Sequence, residues 1–116
     1  MKGDHMKCEC SRFRVIEGKS ALVDEWLSFL NHHIKETSLT LVDEKIYVEA
    51  IFRERNDEGE FLYWFTLEDE GGQKVEESTS WIDQKHLEYW YACIDEDYSS
   101  MTLESEVLLI HPDVNL

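Results

Sequence analysis

The sequence has few basic residues and no long apolar run. Among its 116 residues, 11 are Lys or Arg and 26 are Asp or Glu, so the formal net charge is −15 at pH 7 with histidine neutral. A phosphate backbone repels so acidic a surface, which argues against nucleic-acid binding. No apolar run approaches the roughly 18 residues that a spanning helix needs, which argues against a membrane segment. We therefore predict neither a nucleic-acid partner nor a membrane partner.

Cysteine and glycine are also scarce, and this limits the kinds of site that the chain can build. The 3 cysteines are an odd number in a sequence without an export signal, which indicates reduced thiols rather than a disulfide framework. Cys8 and Cys10 face the same way if they lie on a strand, but no nearby Cys or His completes a metal quartet. A glycine-rich phosphate loop and a G-x-S-x-G elbow are missing. We predict no metal site and no cofactor.

The first residues of the chain are interpreted separately from the rest. The pair His5-Met6 is typical of a common cloning site, so residues 1–5 are interpreted as vector-derived and residues 6–116 as a single domain. A domain of this length buries a core without disulfides or a structural metal. The first residues lack the apolar core and cleavage site of a signal peptide, and we expect a cytoplasmic protein.

The first half of the domain changes from a strand pattern to a helix pattern. Residues 7–17 are rich in β-formers and stop at Gly18, which predicts a strand. Over residues 19–35 the apolar side chains recur three and four positions apart, which predicts an amphipathic helix. These side chains are Leu22, Val23, Trp26, Leu27, Leu30 and Ile34. Residues 36–44 are less regular and predict only a short helical turn before the next strand.

A β-hairpin is predicted next. Residues 45–54 alternate between two faces, residues 56–59 form a polar turn that ends in glycine, and residues 60–68 are apolar on both faces. A strand that is apolar on both faces requires cover on both sides.

The last predicted elements are a helix from residue 80 to about residue 95 and a strand over 101–110. Ser80 and Asp83 have the spacing of a capping pair at the start of that helix. The complete order is β-α-β-β-α-β. We predict an α+β, ferredoxin-like fold, in which a four-stranded antiparallel sheet carries both helices on one face.

The apolar third strand also predicts a partner. Two helices cover only one face of a four-stranded sheet, so the other face exposes either Phe61, Tyr63, Phe65 and Leu67 or the alternate residues Leu62 and Trp64. Monomers rarely expose an apolar patch of this size. We predict a homodimer joined through the sheet faces, with a monomer that has an open sheet as the alternative.

His86 is the first candidate catalytic residue. On the second helix it shares one stripe with Ile82, Tyr89, Trp90 and Cys93, so its imidazole is predicted to face the sheet. A desolvated imidazole beside a carboxylate can act as a general acid or base. The alternative is a core histidine that is hydrogen-bonded to the backbone or to a tyrosine.

Carboxylates provide the other candidate catalytic groups. Glu49 interrupts an otherwise packed strand, so it either pairs with a nearby arginine or lines a cavity; the arginines considered are Arg12, Arg14 and Arg53. Asp83 is interpreted as a helix cap first and as a catalytic candidate second. Glu44 lies at a junction between helix and strand, where it is either solvated or part of the same site.

Three segments carry a resemblance to a known family. They are Trp26-Leu27, Glu44…Glu49-Ala-Ile-Phe52 and Ile82-Asp83-x-x-His86…Cys93. Together they resemble a family of short, uncharacterised bacterial proteins with a dimeric α/β-barrel fold. The resemblance covers residues 7–110, and the Ile-Asp-x-x-His motif is its most specific part. It implies the fold and the homodimer, and it implies no established activity.

The wider group of dimeric α/β barrels includes cofactor-independent monooxygenases, sugar mutarotases and small-ligand binders, a likeness of architecture alone. That likeness implies a pocket between the helices and the sheet. The candidate ligand-binding residues are Trp26, Glu44, Tyr63, Tyr89 and Trp90. We expect a protein that binds a small organic ligand. The alternative is a cofactor-independent isomerase, epimerase or monooxygenase-like enzyme that uses His86 with Glu49 or Asp83 for proton transfer.

Overall fold

A computed structural model describes residues 6–115, and the interpretation of residues 1–5 as vector-derived lies outside this range. The domain contains four strands, three α-helices and a 3₁₀ turn. The strands are β1 (Lys7–Arg14), β2 (Ile46–Asn56), β3 (Gly59–Glu68) and β4 (Met101–Glu104). The helices are α1 (Ser20–His32), α2 (Ile34–Glu44) and α3 (Trp81–Cys93), with the 3₁₀ turn at Val75–Glu77. None of these helices is both long enough and apolar enough to cross a bilayer.

All four strands form one antiparallel sheet in the order β2-β3-β1-β4. The predicted hairpin is present, and Gly59, the first residue of β3 after the turn, has a φ of 140°, which side chains rarely tolerate. Side chains directly opposite each other in a sheet share a face, so Trp64 lies beside Ser11 and Ile51 on one side. The prediction of an α+β domain with a four-stranded antiparallel sheet is confirmed.

The helices cover the face of the sheet that carries Leu62 and Trp64. Leu62 meets α1 and α3 there, and four side chains at this contact are completely or almost completely removed from solvent: Val23, Trp26, Leu62 and Cys93. Burial of each large apolar side chain contributes roughly 1.5–3 kcal/mol to folding. Val23 and Trp26 of the predicted stripe therefore lie in the core, whereas Ile34, predicted in the same stripe, is 56% exposed.

Helix α2 corrects the prediction of two helices. The predicted helix over 19–35 ends at His32, and Ile34–Glu44 forms a separate 11-residue helix instead of a short turn. None of the α2 side chains is buried, and Leu39 and Val42 are about 70% exposed (71% and 70%). The segment contains three Ser or Thr residues, which are weaker helix formers, and the sequence therefore predicted only a turn.

Strand β4 is shorter than predicted. It ends at Glu104 rather than at residue 110. Because β4 is antiparallel to β1, it runs toward the start of β1 at Lys7. The Ser105 amide makes a last hydrogen bond to the Cys8 carbonyl, and β1 offers almost no further backbone beyond it. Val107 and Leu109 beyond it are exposed, at 74% and 88%.

Candidate functional site

A cavity of about 720 Å³ lies between the helix-covered face of the sheet and the three helices. Strands β1, β2 and β3 provide its floor, and α1, α2 and α3 provide its walls. The floor includes Glu49, Ile51, Trp64 and Thr66, and the α3 wall includes Asp83, His86 and Trp90. The structure therefore brings all three candidate catalytic residues, His86, Glu49 and Asp83, to one cavity.

His86 reaches the cavity because it belongs to the inward stripe of α3. The indole Nε1 of Trp26 donates a hydrogen bond to His86 Nδ1 over 3.0 Å. An indole nitrogen can only donate, so Nδ1 is the acceptor, and the neutral ring carries its proton on Nε2. This leaves the Nε2–H of His86 as the donor that a molecule in the cavity can meet.

Burial keeps this imidazole neutral. The low polarity around His86 lowers its pKa to about 4, and the negative charge of Asp83 only partly opposes this effect. Protonation of His86 at Nδ1 would also place its new N–H group against the N–H group of the Trp26 indole. His86 is therefore suited to donate a hydrogen bond at neutral pH and poorly suited to accept a proton.

Asp83 lies one helical turn before His86 and is only 5% exposed. Ser80 occupies the N-cap position, but its side chain makes no capping hydrogen bond, so the predicted capping pair with Asp83 does not form. The Asp83 carboxylate makes no hydrogen bond and no ion pair with any other residue of the described range 6–115. A buried carboxylate without a hydrogen-bond partner is unfavourable. Asp83 lines the cavity, so a molecule bound there is placed to donate a hydrogen bond to it.

Glu49 lies on the floor of the cavity and is held by Trp64, whose Nε1 donates to Glu49 Oε1 over 2.5 Å. Of the predicted alternatives, the structure shows the cavity position rather than an arginine pair. Arg53, for example, binds Asp24 and Glu60 instead. Burial raises the pKa of Glu49, and the Trp64 hydrogen bond partly offsets this increase.

Glu44 ends α2 and lines the same cavity. Burial, together with the negative charges of Glu49 and Asp83, raises the pKa of Glu44 to about 8. The carboxyl group is thus largely protonated at neutral pH and can donate a hydrogen bond. The sequence left open whether Glu44 is solvated, and the structure places it at the site.

The other candidate ligand-binding residues occupy three different positions. Trp90 lines the cavity. Trp26 is fully buried behind His86 and stacks on Tyr89 with ring centroids 6.4 Å apart, so these two residues support the wall without forming it. Tyr63 lies on the opposite face of the sheet, where its hydroxyl donates to Glu54 over 2.7 Å.

Sequence reasoning missed the floor residues Trp64, Thr66 and Ile51. Their signal was present, because β3 alternates and Trp64 and Thr66 are two positions apart. Both faces of β3 are apolar, however, so the alternation alone did not indicate which set faces the helices. The pairing of Trp64 with Ile51 and Ser11 resolves this choice.

Two comparisons with known proteins bear on the site. Residues 6–116 match a family model described as a family of unknown function, DUF6176. No curated protein matches the chain. The predicted membership in an uncharacterised family is therefore confirmed for nearly the whole chain, whereas the bacterial origin and the dimeric barrel stay predictions.

Proposed function

The chain belongs to the DUF6176 family, whose function is unknown, and we propose that its cavity binds a small organic molecule. The observation that carries this proposal is a cavity with inward polar groups that have no partner in residues 6–115. These groups are the Asp83 carboxylate and the Nε2–H of His86.

The size and lining of the cavity support the proposal. Pockets for small molecules range from about 300 to 1,000 Å³ and combine apolar walls with a few polar groups that orient the ligand. Here the volume is about 720 Å³, and Trp64, Trp90 and Ile51 provide the apolar surface. The Trp26–His86 and Trp64–Glu49 hydrogen bonds fix two of the polar groups before any ligand arrives.

A library of neutral, anionic and cationic metabolites tests the proposal. Binding is measured by native mass spectrometry and confirmed by the rise in melting temperature. Thr66→Phe places a ring in the cavity and should abolish the binding, whereas Thr79→Phe, at an exposed loop position, should leave it unchanged. Failure of every compound to bind, or binding that survives Thr66→Phe, would overturn the proposal.

The homodimer is part of the same proposal. The face of the sheet away from the helices carries partly exposed apolar residues from three strands: Val48, Phe52, Tyr63, Phe65, Met101 and Leu103. Phe52 and Leu103 are both 58% exposed. Contact with the same face of a second copy would cover this apolar surface. The antiparallel order β2-β3-β1-β4 supports the predicted ferredoxin-like barrel as the form of that dimer.

A second candidate function is proton transfer at a carbon next to a carbonyl group. It is favoured by a neutral imidazole donor and carboxylates that line one cavity. In this reaction the Asp83 or Glu49 carboxylate takes a proton from the carbon, and the electron pair moves into the carbonyl oxygen, which accepts a hydrogen bond from His86 Nε2. Return of the proton to the other face of the carbon completes an epimerisation.

Isotope exchange distinguishes this enzyme from a binding protein. Carbonyl compounds that bind in the library screen are incubated with the protein in D₂O, and loss of the α-proton signal is followed by NMR. The enzyme hypothesis predicts exchange that Asp83→Asn or Glu49→Gln slows at least 100-fold. Binding without exchange contradicts catalysis and leaves the binding proposal in place.

A further inference from the structure

The charges around the cavity are almost all of one sign. Among its lining residues in the described part of the chain, six carry carboxylates and none is a lysine or an arginine. The six are Glu9, Glu44, Glu49, Glu76, Asp83 and Glu96. His86 also lines the cavity, and burial keeps its imidazole neutral.

Of these acids, Glu9 is the one with a salt bridge to a basic residue within the described chain. Glu9 pairs with Lys7 over 3.1 Å at the edge of the sheet. Within residues 6–115, Glu44, Glu49 and Asp83 take part in no ion pair. Arg53, whose side chain is 15% exposed, is engaged with Asp24 and Glu60.

Asp83 is the second, independent observation. Only 5% of the residue is exposed, and its carboxylate has no hydrogen-bond or ion-pair partner in the described chain. A carboxylate with so little solvent contact is stabilised by a donor or a positive charge. Asp83 lines the cavity, so a molecule in the cavity is placed to supply that donor.

The partner of these carboxylates is organic rather than a metal ion. In the part of the chain that the structure describes, no group of three or more His, Cys, Asp or Glu side chains converges on a point that could hold a metal. The cavity is far larger than an ion, and four aromatic rings line it, those of Phe13, Trp64, Trp90 and Tyr91. Aromatic faces attract organic cations, most strongly where water is displaced.

We propose that the cavity selects a small organic amine, with its ammonium group at Asp83 and Glu49 and its apolar part against Trp64 and Trp90. This inference rests on the proposed binding function and adds the charge of the ligand. An ammonium group would donate hydrogen bonds to both carboxylates, and the two tryptophans would cover the adjoining hydrocarbon. The high pKa of Glu44 is consistent with a site that lacks a positive charge while it is empty.

Three compounds of nearly equal shape test the charge preference. They are 2-phenylethylamine, 2-phenylethanol and 3-phenylpropanoate, which are cationic, neutral and anionic at pH 7. Titration calorimetry on the full chain should give a dissociation constant for the amine at least tenfold lower than for either of the others. Equal or tighter binding of the alcohol or the carboxylate would overturn the inference and leave the proposed function intact.

Two variants assign the preference to the carboxylates. Asp83→Asn should weaken amine binding at least tenfold and leave binding of 2-phenylethanol unchanged. Asp57→Asn makes the same chemical change in the exposed hairpin turn and should have no effect on either compound. Glu49→Gln provides a second test of the same loss if Asp83→Asn does not fold. Amine binding that survives in the folded variants contradicts the inference.

The metabolite library distinguishes failure of the amine inference from failure of the proposed binding function. If none of the three phenyl compounds binds but a neutral or anionic metabolite does, the inference is wrong and the proposed function stands. If no compound of any charge binds, both are wrong.

Discussion

Each face of the sheet carries some residues that are unusual for its environment, polar ones under the helices and apolar ones on the uncovered side. The face covered by helices carries Glu9, Glu49 and Thr66, while the uncovered face carries Phe52 and Phe65. Buried polar groups and exposed apolar groups are both costly unless something else meets them. This comparison is the basis of both proposals, that a small molecule binds the covered face and that a second copy covers the open face.

The largest expected effect compares one leucine from each face. Leu62 is completely buried on the covered face, so Leu62→Ala should lower the free energy of unfolding by about 2–5 kcal/mol. Leu103 is 58% exposed on the open face, and Leu103→Ala should cost less than about 1 kcal/mol. Urea denaturation at submicromolar concentration, where dimerisation contributes little, measures both. Equal losses would contradict the assignment of the core to the covered face.

Introduction of a charge on the open face should break the homodimer. Phe52→Lys places an ammonium group in the proposed contact, where both copies would have to bury it, and should shift the particle to the 13.8 kDa monomer. Leu39→Lys makes a similar change on exposed α2 and should leave the dimer intact. Light scattering at micromolar concentration measures the mass.

A wild-type protein that is already a 13.8 kDa monomer would refute the dimer. A dimer that Phe52→Lys does not affect would show that the contact lies elsewhere.

The covered face should make stability depend on pH through Glu44. Its folded pKa of about 8 lies above the unfolded value of 4.5, so the folded state holds the proton more tightly between these values. Stability therefore decreases as pH rises from about 4.5 to 8, by roughly 1–2 kcal/mol after solvent screening of this half-exposed group. Glu44→Gln should reduce that slope and the exposed-site control Glu58→Gln should not, as measured by melts at pH 5 and pH 8.

The smallest expected effect concerns a single proton on the covered face. His86 should stay neutral, with its proton on Nε2, until the pH approaches its pKa of about 4. Nitrogen-15 NMR of the imidazole measures the tautomer and the pKa. Trp26→Phe removes the donor to Nδ1 and should raise the His86 pKa by a fraction of a unit. A His86 that titrates near 6.5 in the wild type would contradict the buried geometry.

Much of the covered face could be predicted from the sequence, because helical spacing is a local property. The stripe from Ile82 to Cys93 was sufficient to turn His86 toward the sheet, and strand alternation was sufficient to identify Glu49 as unusual. The contact between Trp26 and His86 joins residues 60 positions apart. Spacing along the chain contains no information about such a pair.

The open face and the edges of the fold were harder to predict. Tyr63 was assigned to the site, yet it lies on the open face, because only the register of β3 with β1 and β2 distinguishes its two apolar sides. Helix α2 contains Thr37, Ser38 and Thr40, which are weaker helix formers, so its length was underestimated. Strand β4 stops where β1 offers no further partner, which a local pattern of β-forming residues does not reveal.

The central claim is that the polar groups on the covered face await a small molecule, and a crystal structure tests it most directly. Crystals of the protein soaked with cell metabolites, and separately with 2-phenylethylamine, should show organic density in the cavity. We predict density within hydrogen-bonding distance of the Asp83 carboxylate in both cases, and also of His86 Nε2 where the bound metabolite carries an acceptor. A cavity that holds only water under both conditions, or one closed by collapse of α2 onto Trp64, would contradict the account.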